Sequence, residues 1–293
     1  MVSKSIFYTL PLTCLLSGHV VAGTMGEVKT SMDGIFLGLG GSYNSVKLDR
    51  YLAATGISQV SSAGVNVASG LAGGPSSPFH QTQTTFAPEA QIGYLRHFND
   101  LYSGGLKFSY RYLGITSSQS PVDNFQSGQF VTTSGESSFT GNYIVKSAQT
   151  NINHELSLLG FIGQHFGKFN VYLGAGPVVF ETQSHLYGMN GFADIDGTHT
   201  DITGSGTNFK NTQWMWGGAG QLGLKYQLDP TWFIDINYTY AQTGSNKYTD
   251  RTLFTNTQVI NGVSYVTTGV GSALSSQQIT VQGIGLTVNK LFS

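Results

Sequence analysis

The chain has 293 residues, 14 Lys and Arg against 15 Asp and Glu, a net charge of −1 and only 10% charged residues. Soluble domains average about 25% charged residues, and the balanced signs leave no basic surplus for nucleic acid. Its one cysteine, Cys14, falls in a leader segment, which excludes a disulfide framework, thiolate catalysis and a Cys-ligated metal from the remainder.

In chain order, Lys4, the apolar run Ile6 to Leu16 and the small-residue site Val20-Val21-Ala22 read as a secretory signal over residues 1–22, cleaved before Gly23. Pro11 and Gly18-His19 interrupt that run, which is shorter than the roughly 20 residues of a spanning helix. Residues 23–32 are expected to form a short periplasmic segment, and residues 33–293 the folded body. No later stretch is apolar enough for a transmembrane helix.

The body is organised by period-2 alternation, the signature of strands with two unlike faces, and it recurs eight times. The first run, Asp33 to Asn44, puts Ile35, Leu37, Leu39, Gly41 and Tyr43 on one face. A segment rich in Gly, Ser and Ala, about Leu48 to Thr85, follows and is expected to be flexible. The second run, Phe86 to Phe98, sets Ile92 and Tyr94 against Glu89 and Gln91. The third alternates Tyr102, Leu106, Phe108, Tyr110 and Tyr112 with Ser103, Lys107, Ser109 and Arg111. The fourth, Asn151 to Phe166, sets Ile152, Leu156, Leu158 and Ile162 against Asn153, Glu155 and Ser157. The fifth, Phe169 to Val179, sets Val171 and Leu173 against Asn170 and Tyr172. In the sixth, Trp216, Leu222, Leu224 and Tyr226 oppose Gln221 and Lys225. In the seventh, Trp232, Ile234, Ile236, Tyr238 and Tyr240 oppose Asp235, Asn237 and Thr239. The eighth, Ile279 to Phe292, sets Ile284, Leu286 and Val288 against Gly283, Gly285 and Thr287.

Connections alternate in length. Asn99-Asp100-Leu101, Gly167-Lys168 and Asp229-Pro230-Thr231 are tight turns. The other four are polar segments of roughly 25 to 40 residues. Short periplasmic turns and long extracellular loops are the arrangement of outer-membrane barrels. Asn261-Gly262 in the last long segment, and more weakly Ser134-Gly135 in the second, signal hairpins with arms of about five or six residues, too short to span and so expected to stand above the membrane. The fold class read from this pattern is all-β: a closed, antiparallel, up-and-down transmembrane barrel of eight strands.

Aromatic spacing supports the same reading. Tyr102 and Tyr112 share a face ten residues apart, as do Trp216 and Tyr226, and Trp232 and Tyr240 lie slightly closer. Ten residues of strand tilted near 40° cover about 25 Å of membrane normal, the separation of two aromatic girdles. Tyr94 and Phe292 complete the expected set of interface aromatics.

The signal, the eight alternating runs and a last strand closing on Phe292 resemble the small outer-membrane barrel family of the OmpA membrane domain and OmpX-like surface proteins. The resemblance covers essentially the whole mature chain and is one of pattern. It implies insertion by the barrel-assembly machinery, which reads a terminal aromatic; here Ser293 follows Phe292, and Lys290 stands where an apolar residue is usual. Gly23-Thr24-Met25-Gly26 is similar to the mature start of surface proteins from intracellular γ-proteobacteria.

On the inward face lie Glu89, Lys107, Arg111, Glu155, Lys225 and Asp235. An eight-stranded barrel is only wide enough for side chains, and buried charges must pair, so these six are expected to form a compensated plug. The alternative is a narrow path for ions or small solutes. A lipid-modifying enzyme is the third reading, but no nucleophile elbow or His-x-Ser motif supports it, and no catalytic residue, cofactor or metal site is assigned. His154 and Glu155 are neighbours on opposite strand faces and therefore not a dyad. His97 and His165 mark the short-turn side, and His199 and Asp201, near Asp194 and Asp196, read as a solvated acidic loop. Gly217-Gly218-Ala219-Gly220 lacks the Lys-Ser/Thr of a phosphate loop. The expected role is a surface protein whose long loops meet a host or environmental ligand, with outer-membrane lipid and lipopolysaccharide around the barrel and no nucleic-acid partner.

Overall fold

The computed structural model describes residues 33–195 and 198–292, and every regular element among them is a strand. The expected signal over 1–22 and the segment 23–32 lie outside the described residues, as do Asp196 and Ser293. In chain order the strands are β1 (Gly34–Ser62), β2 (Val65–Pro75), β3 (Phe79–His97), β4 (Tyr102–Gln119), β5 (Val122–Thr132) and β6 (Gly135–Phe166). They continue as β7 (Phe169–Ile195), β8 (Thr198–Asp201), β9 (Thr207–Gln227), β10 (Trp232–Thr243), β11 (Asn246–Ile260) and β12 (Val263–Phe292).

Eight strands close a ring, each antiparallel to the next: β1, β3, β4, β6, β7, β9, β10 and β12, which returns to β1 over the register Ile35↔Phe292 to Ser62↔Tyr265. This is the barrel read from the alternation. At one end the turns are tight. The Asn99 side-chain oxygen accepts the N–H groups of Leu101 and Tyr102 at 2.9 and 2.8 Å, and Asp229 Oδ1 accepts those of Thr231 and Trp232 at 2.7 and 2.8 Å. Gly167, at φ +62°, supplies the left-handed residue between β6 and β7.

The other end departs from expectation. The segments read as loops are sheet. β1 runs 29 residues, about 96 Å of strand at ~3.3 Å each, where roughly ten residues cross a membrane. The segment expected to be flexible is the upper half of β1, all of β2 and the start of β3. Ala63 and Gly64, with φ of 50° and 80°, turn the chain back, and β2 pairs with β1 from Ser62↔Val65 to Ala53↔Pro75. The Gly, Ser and Ala composition lowers strand propensity, but pairing on both sides overrides it, since β2 also pairs with β5. The Asn261-Gly262 turn forms as read, with φ of 52° and 77°, but β11 is 15 residues long rather than five or six.

The extension is a second tier on the same ring. On β1 the partner changes from β3 to β2, on β6 from β4 to β5, and on β12 from β10 to β11. The upper ring is thus β1, β2, β5, β6, β7, β9, β11 and β12. No ladder joins β9 to β11; Asn246 Nδ2 donates to Gln213 Oε1 at 3.2 Å between them, and higher up Asn256 and Gln258 of β11 both donate to the Asp201 carbonyl of β8. β3 and β4 pair only below Glu89↔Arg111. Pro88, which has no N–H to donate, stands where that ladder stops, and side chains bridge the split above it, with Gln83 donating to Thr116 O at 2.8 Å and Thr85 to Leu113 O at 3.0 Å.

One face was misread. Ile152 was placed with Leu156 and Leu158, but it is fully buried inside while Leu158 is exposed. The ladder shifts between Ile152 and Glu155, so Asn153 and His154 share one position opposite β7 and the alternation reverses. A bulge of this kind adds one residue and flips every side chain beyond it.

Candidate functional site

The lower barrel's outer face is an apolar belt: Leu39, Ile92, Leu106, Leu173, Leu222, Ile236 and Leu286 are all exposed. Tyr94, Tyr102, Trp232 and Phe292 are exposed near its short-turn edge, and Tyr112, Trp216 and Tyr240 near the other. Tyr226 is half-buried, its ring 4.9 Å from Phe169. Lys290 also finds a place here, with Nζ 5.5 Å from the Trp232 ring and 5.6 Å from Phe292. Its stem covers apolar surface while the ammonium lies over the rings.

Inside, the six charges expected there are all buried. Five of them make two ion-paired groups. Arg111 donates from Nε to Glu89 Oε2 at 2.9 Å, from Nη1 to Glu155 Oε1 at 3.1 Å and from Nη2 to Thr239 Oγ1 at 3.2 Å. The ladder places them, with Arg111 opposite Glu89 on one side and Glu155 on the other. Lys107 Nζ meets Asp235 Oδ2 at 3.1 Å and Tyr172 OH at 3.0 Å, and Tyr172 OH donates to Asp235 Oδ1 at 2.7 Å. Gly223 makes this triad fit, because a Cβ there would collide with the Tyr172 ring. Lys225 departs from the pairing expectation. Its Nζ has no hydrogen-bond partner among the described residues and lies over the rings of Phe161 at 3.6 Å and Tyr172 at 4.7 Å, with Phe36 and Phe233 within 6 Å. A cation–π cage holds the ammonium beside Asp235, its partner across the β9–β10 ladder.

The charges are only part of the filling. Toward the short turns, Phe36, Leu95, Phe161, Phe233 and Leu291 pack into an apolar layer with Tyr172. On the other side of the ion pairs lies a larger apolar layer that includes Val46, Leu48, Leu113, Ile152, Phe180, Met215 and Ile279. A polar layer follows, where Arg50 donates to Thr150, Gln119 and the Ala148 carbonyl at 3.2 to 3.3 Å, and Gln277 donates to Ser184 at 2.9 Å. Burial pulls the Arg50 guanidinium down to about 10. Above it sits a third apolar layer with Leu52, Val122, Tyr143, Leu186 and Met189. Period-two alternation does not reveal these inward-facing apolar residues, because where both faces of a strand are apolar the contrast between them is lost.

His154 was rightly separated from Glu155, but the bulge swings it toward β7. His154 Nε2 lies 3.3 Å from Glu181 Oε2 and Nδ1 lies 2.9 Å from Tyr110 OH. No sequence spacing links residues 154 and 181; the bulge does. At the short-turn end His97 Nδ1 meets Asp33 Oδ1 at 2.7 Å and its ring stacks on His165 at 4.5 Å. His199 lies in β8, its ring 4.4 Å from Phe192, and the Asp201 side chain accepts the Gly204 N–H, so this region is sheet edge rather than open loop.

No protein family and no curated protein matches the sequence. Solved structures similar to this chain include OprG from Pseudomonas aeruginosa, with TM-score 0.33, 14% identity and coverage of 87% of this chain and 95% of that one. Ail, the attachment invasion locus protein of Yersinia pestis, gives TM-score 0.27 and 12% identity over 80% of this chain and 98% of its own. Neisserial surface protein A gives 0.25 and 12% over 77% and 95%.

Proposed function

We propose that this chain is an integral outer-membrane surface protein of the OmpA membrane-domain and OmpX-like kind, a sealed barrel that holds a rigid β-tier outside the cell for contact with a host or environmental ligand. The observation that carries the reading is the layered interior: among the described residues, three apolar layers and two hydrogen-bonded ones stack along the axis, which is the filling expected of a sealed barrel. The apolar belt supports lipid and lipopolysaccharide as surroundings, since a closed ring with a lipid-compatible outside satisfies every backbone group internally. The termini then lie on the periplasmic side and the upper tier outside. Insertion falls to the barrel-assembly machinery. The protein works without a cofactor and performs no catalysis; the ligand meets the extension, mounted on the barrel.

The test has two parts. Refolded protein, verified by faster gel migration unboiled than boiled, is added to a planar bilayer and should stay silent at both polarities. Steady, reproducible conductance steps would make solute passage the function instead. An epitope inserted at Ala63-Gly64 or Asn261-Gly262 should bind antibody on intact cells, and staining only after permeabilisation would reverse the orientation.

A further inference from the structure

The upper tier holds a partly open cavity of about 130 Å³. Its wall combines inward-facing side chains of the upper ring with the backbone and outward-facing residues Thr55 and Leu71, and none of its lining residues is charged. Five aromatic residues, Phe130, Phe139, Tyr143, Phe192 and Phe254, line it. Two are held flat by glycines on the neighbouring strand: a Cβ at Gly128 would meet Phe139 Cζ at 2.7 Å, and one at Gly269 would collide with the Phe254 ring. The space itself comes from small residues at positions whose register points them inward, among them Gly56, Gly70, Ala193 and Gly271. At Gly56 a Cβ would have no neighbour within 4 Å.

Beneath the cavity lies the third apolar layer, with Leu52, Ala54, Met189 and Ala273 buried, so it has a floor and is not a stage of a channel. Ile202 and Thr203 form part of its rim. They are anchored where Thr203 Oγ1 accepts the Gly191 N–H at 2.9 Å and where the Asp201 carbonyl takes the side chains of Asn256 and Gln258. The rim is tied to β7 by backbone bonds at Gly191, whereas only side-chain bonds join it to β11, so the β8–β11 side is the part of the wall that opens at least cost.

We infer that this cavity is a binding site for a small uncharged apolar molecule, the size of one aromatic ring or a short alkyl chain. An apolar protein cavity of about 150 Å³ stays dry and takes up benzene, and aromatic walls add ring-to-ring contact. This deepens the surface-contact reading, because it rests on the upper tier facing the exterior and names a ligand class for it.

The test uses the full-length mature protein in lipid nanodiscs, with fluorobenzene as the probe and empty nanodiscs as the partition blank. Fluorine NMR should show saturable broadening above the blank. Gly56→Leu and Gly271→Val fill the space, the latter meeting only Thr252 at 3.7 Å, and each should weaken binding about tenfold or more. Intermolecular NOEs from probe protons to the Val60 methyls in the unaltered protein give a readout independent of whether either variant folds. Signal equal to the blank, binding unaffected by filling in a folded variant, or absence of the Val60 NOEs would each overturn the site. Orientation is read separately by the epitope experiment: inaccessible turns with intact fluorobenzene binding sink the exterior placement and leave the site standing.

Discussion

Arg111→Met removes the one cation that two buried carboxylates share. Met keeps much of the stem volume, so packing changes little while Glu89 and Glu155, 3% and 1% exposed, lose every ion pair they make. Breaking a buried pair from one side costs about 3–5 kcal/mol. With two carboxylates stranded, the upper part of that range applies, about 4–5 kcal/mol, or roughly a thousandfold in the unfolding equilibrium at ~1.4 kcal/mol per tenfold. The assay is reversible urea unfolding in lipid vesicles, followed by the fluorescence of the three tryptophans and by gel mobility. Removing the carboxylates as well, in Glu89→Leu/Arg111→Met/Glu155→Leu, should return stability to within about 2 kcal/mol of the parent, because no charge of this group is then left buried without its partner. A loss below about 1 kcal/mol for Arg111→Met alone would refute the reasoning: it would mean that water reaches these carboxylates and the interior is not sealed.

Arg111→Met should also remain silent in a planar bilayer, since the apolar layers on both sides of the ion pairs are untouched; conductance in this variant would assign the seal to the charges alone. Gly223→Val should drive the Tyr172 ring off Asp235 and cost about 1–3 kcal/mol as an overpacked interior, checked by the same urea titration; no change would mean that the Tyr172 position is not set by Gly223. Just below the switch of β1 from β3 to β2, burial opposes ionisation of Asp49, but Lys47 at 2.9 Å and His80 at 2.5 Å outweigh it and hold the carboxyl below its ordinary value of 3.8. A depressed folded pKa contributes stability above the unfolded value and loses it as pH falls through the folded one. The urea midpoint of the parent should therefore fall below about pH 4 by more than that of Asp49→Asn, and parallel profiles would show that the cluster contributes nothing.

Much of the lower barrel was legible from the residues. Period two identifies a strand wherever one face meets lipid and the other a filled interior, and Tyr102 to Tyr112 or Ile284 to Val288 display it without interruption. Tight turns were legible because Asn99, Gly167 and Asp229 act on their own local backbone. The six interior charges were found because a charged residue on an otherwise lipid-facing period has only one side to go.

What pattern could not supply is everything decided by a partner distant in sequence. β2 and β5 are weak strands by composition and exist because each is paired along both edges. The bulge at Asn153-His154, which turns Ile152 inward and His154 to Glu181, arises from how three strands fit around a ring. The cage around Lys225 gathers Phe36, Phe161, Tyr172 and Phe233 from four different strands. Alternation along one strand determines which side a residue faces. Closure of the ring alone decides which side chains from other strands it meets there, because those neighbours are set by register across hydrogen-bonded ladders and not by position along the chain.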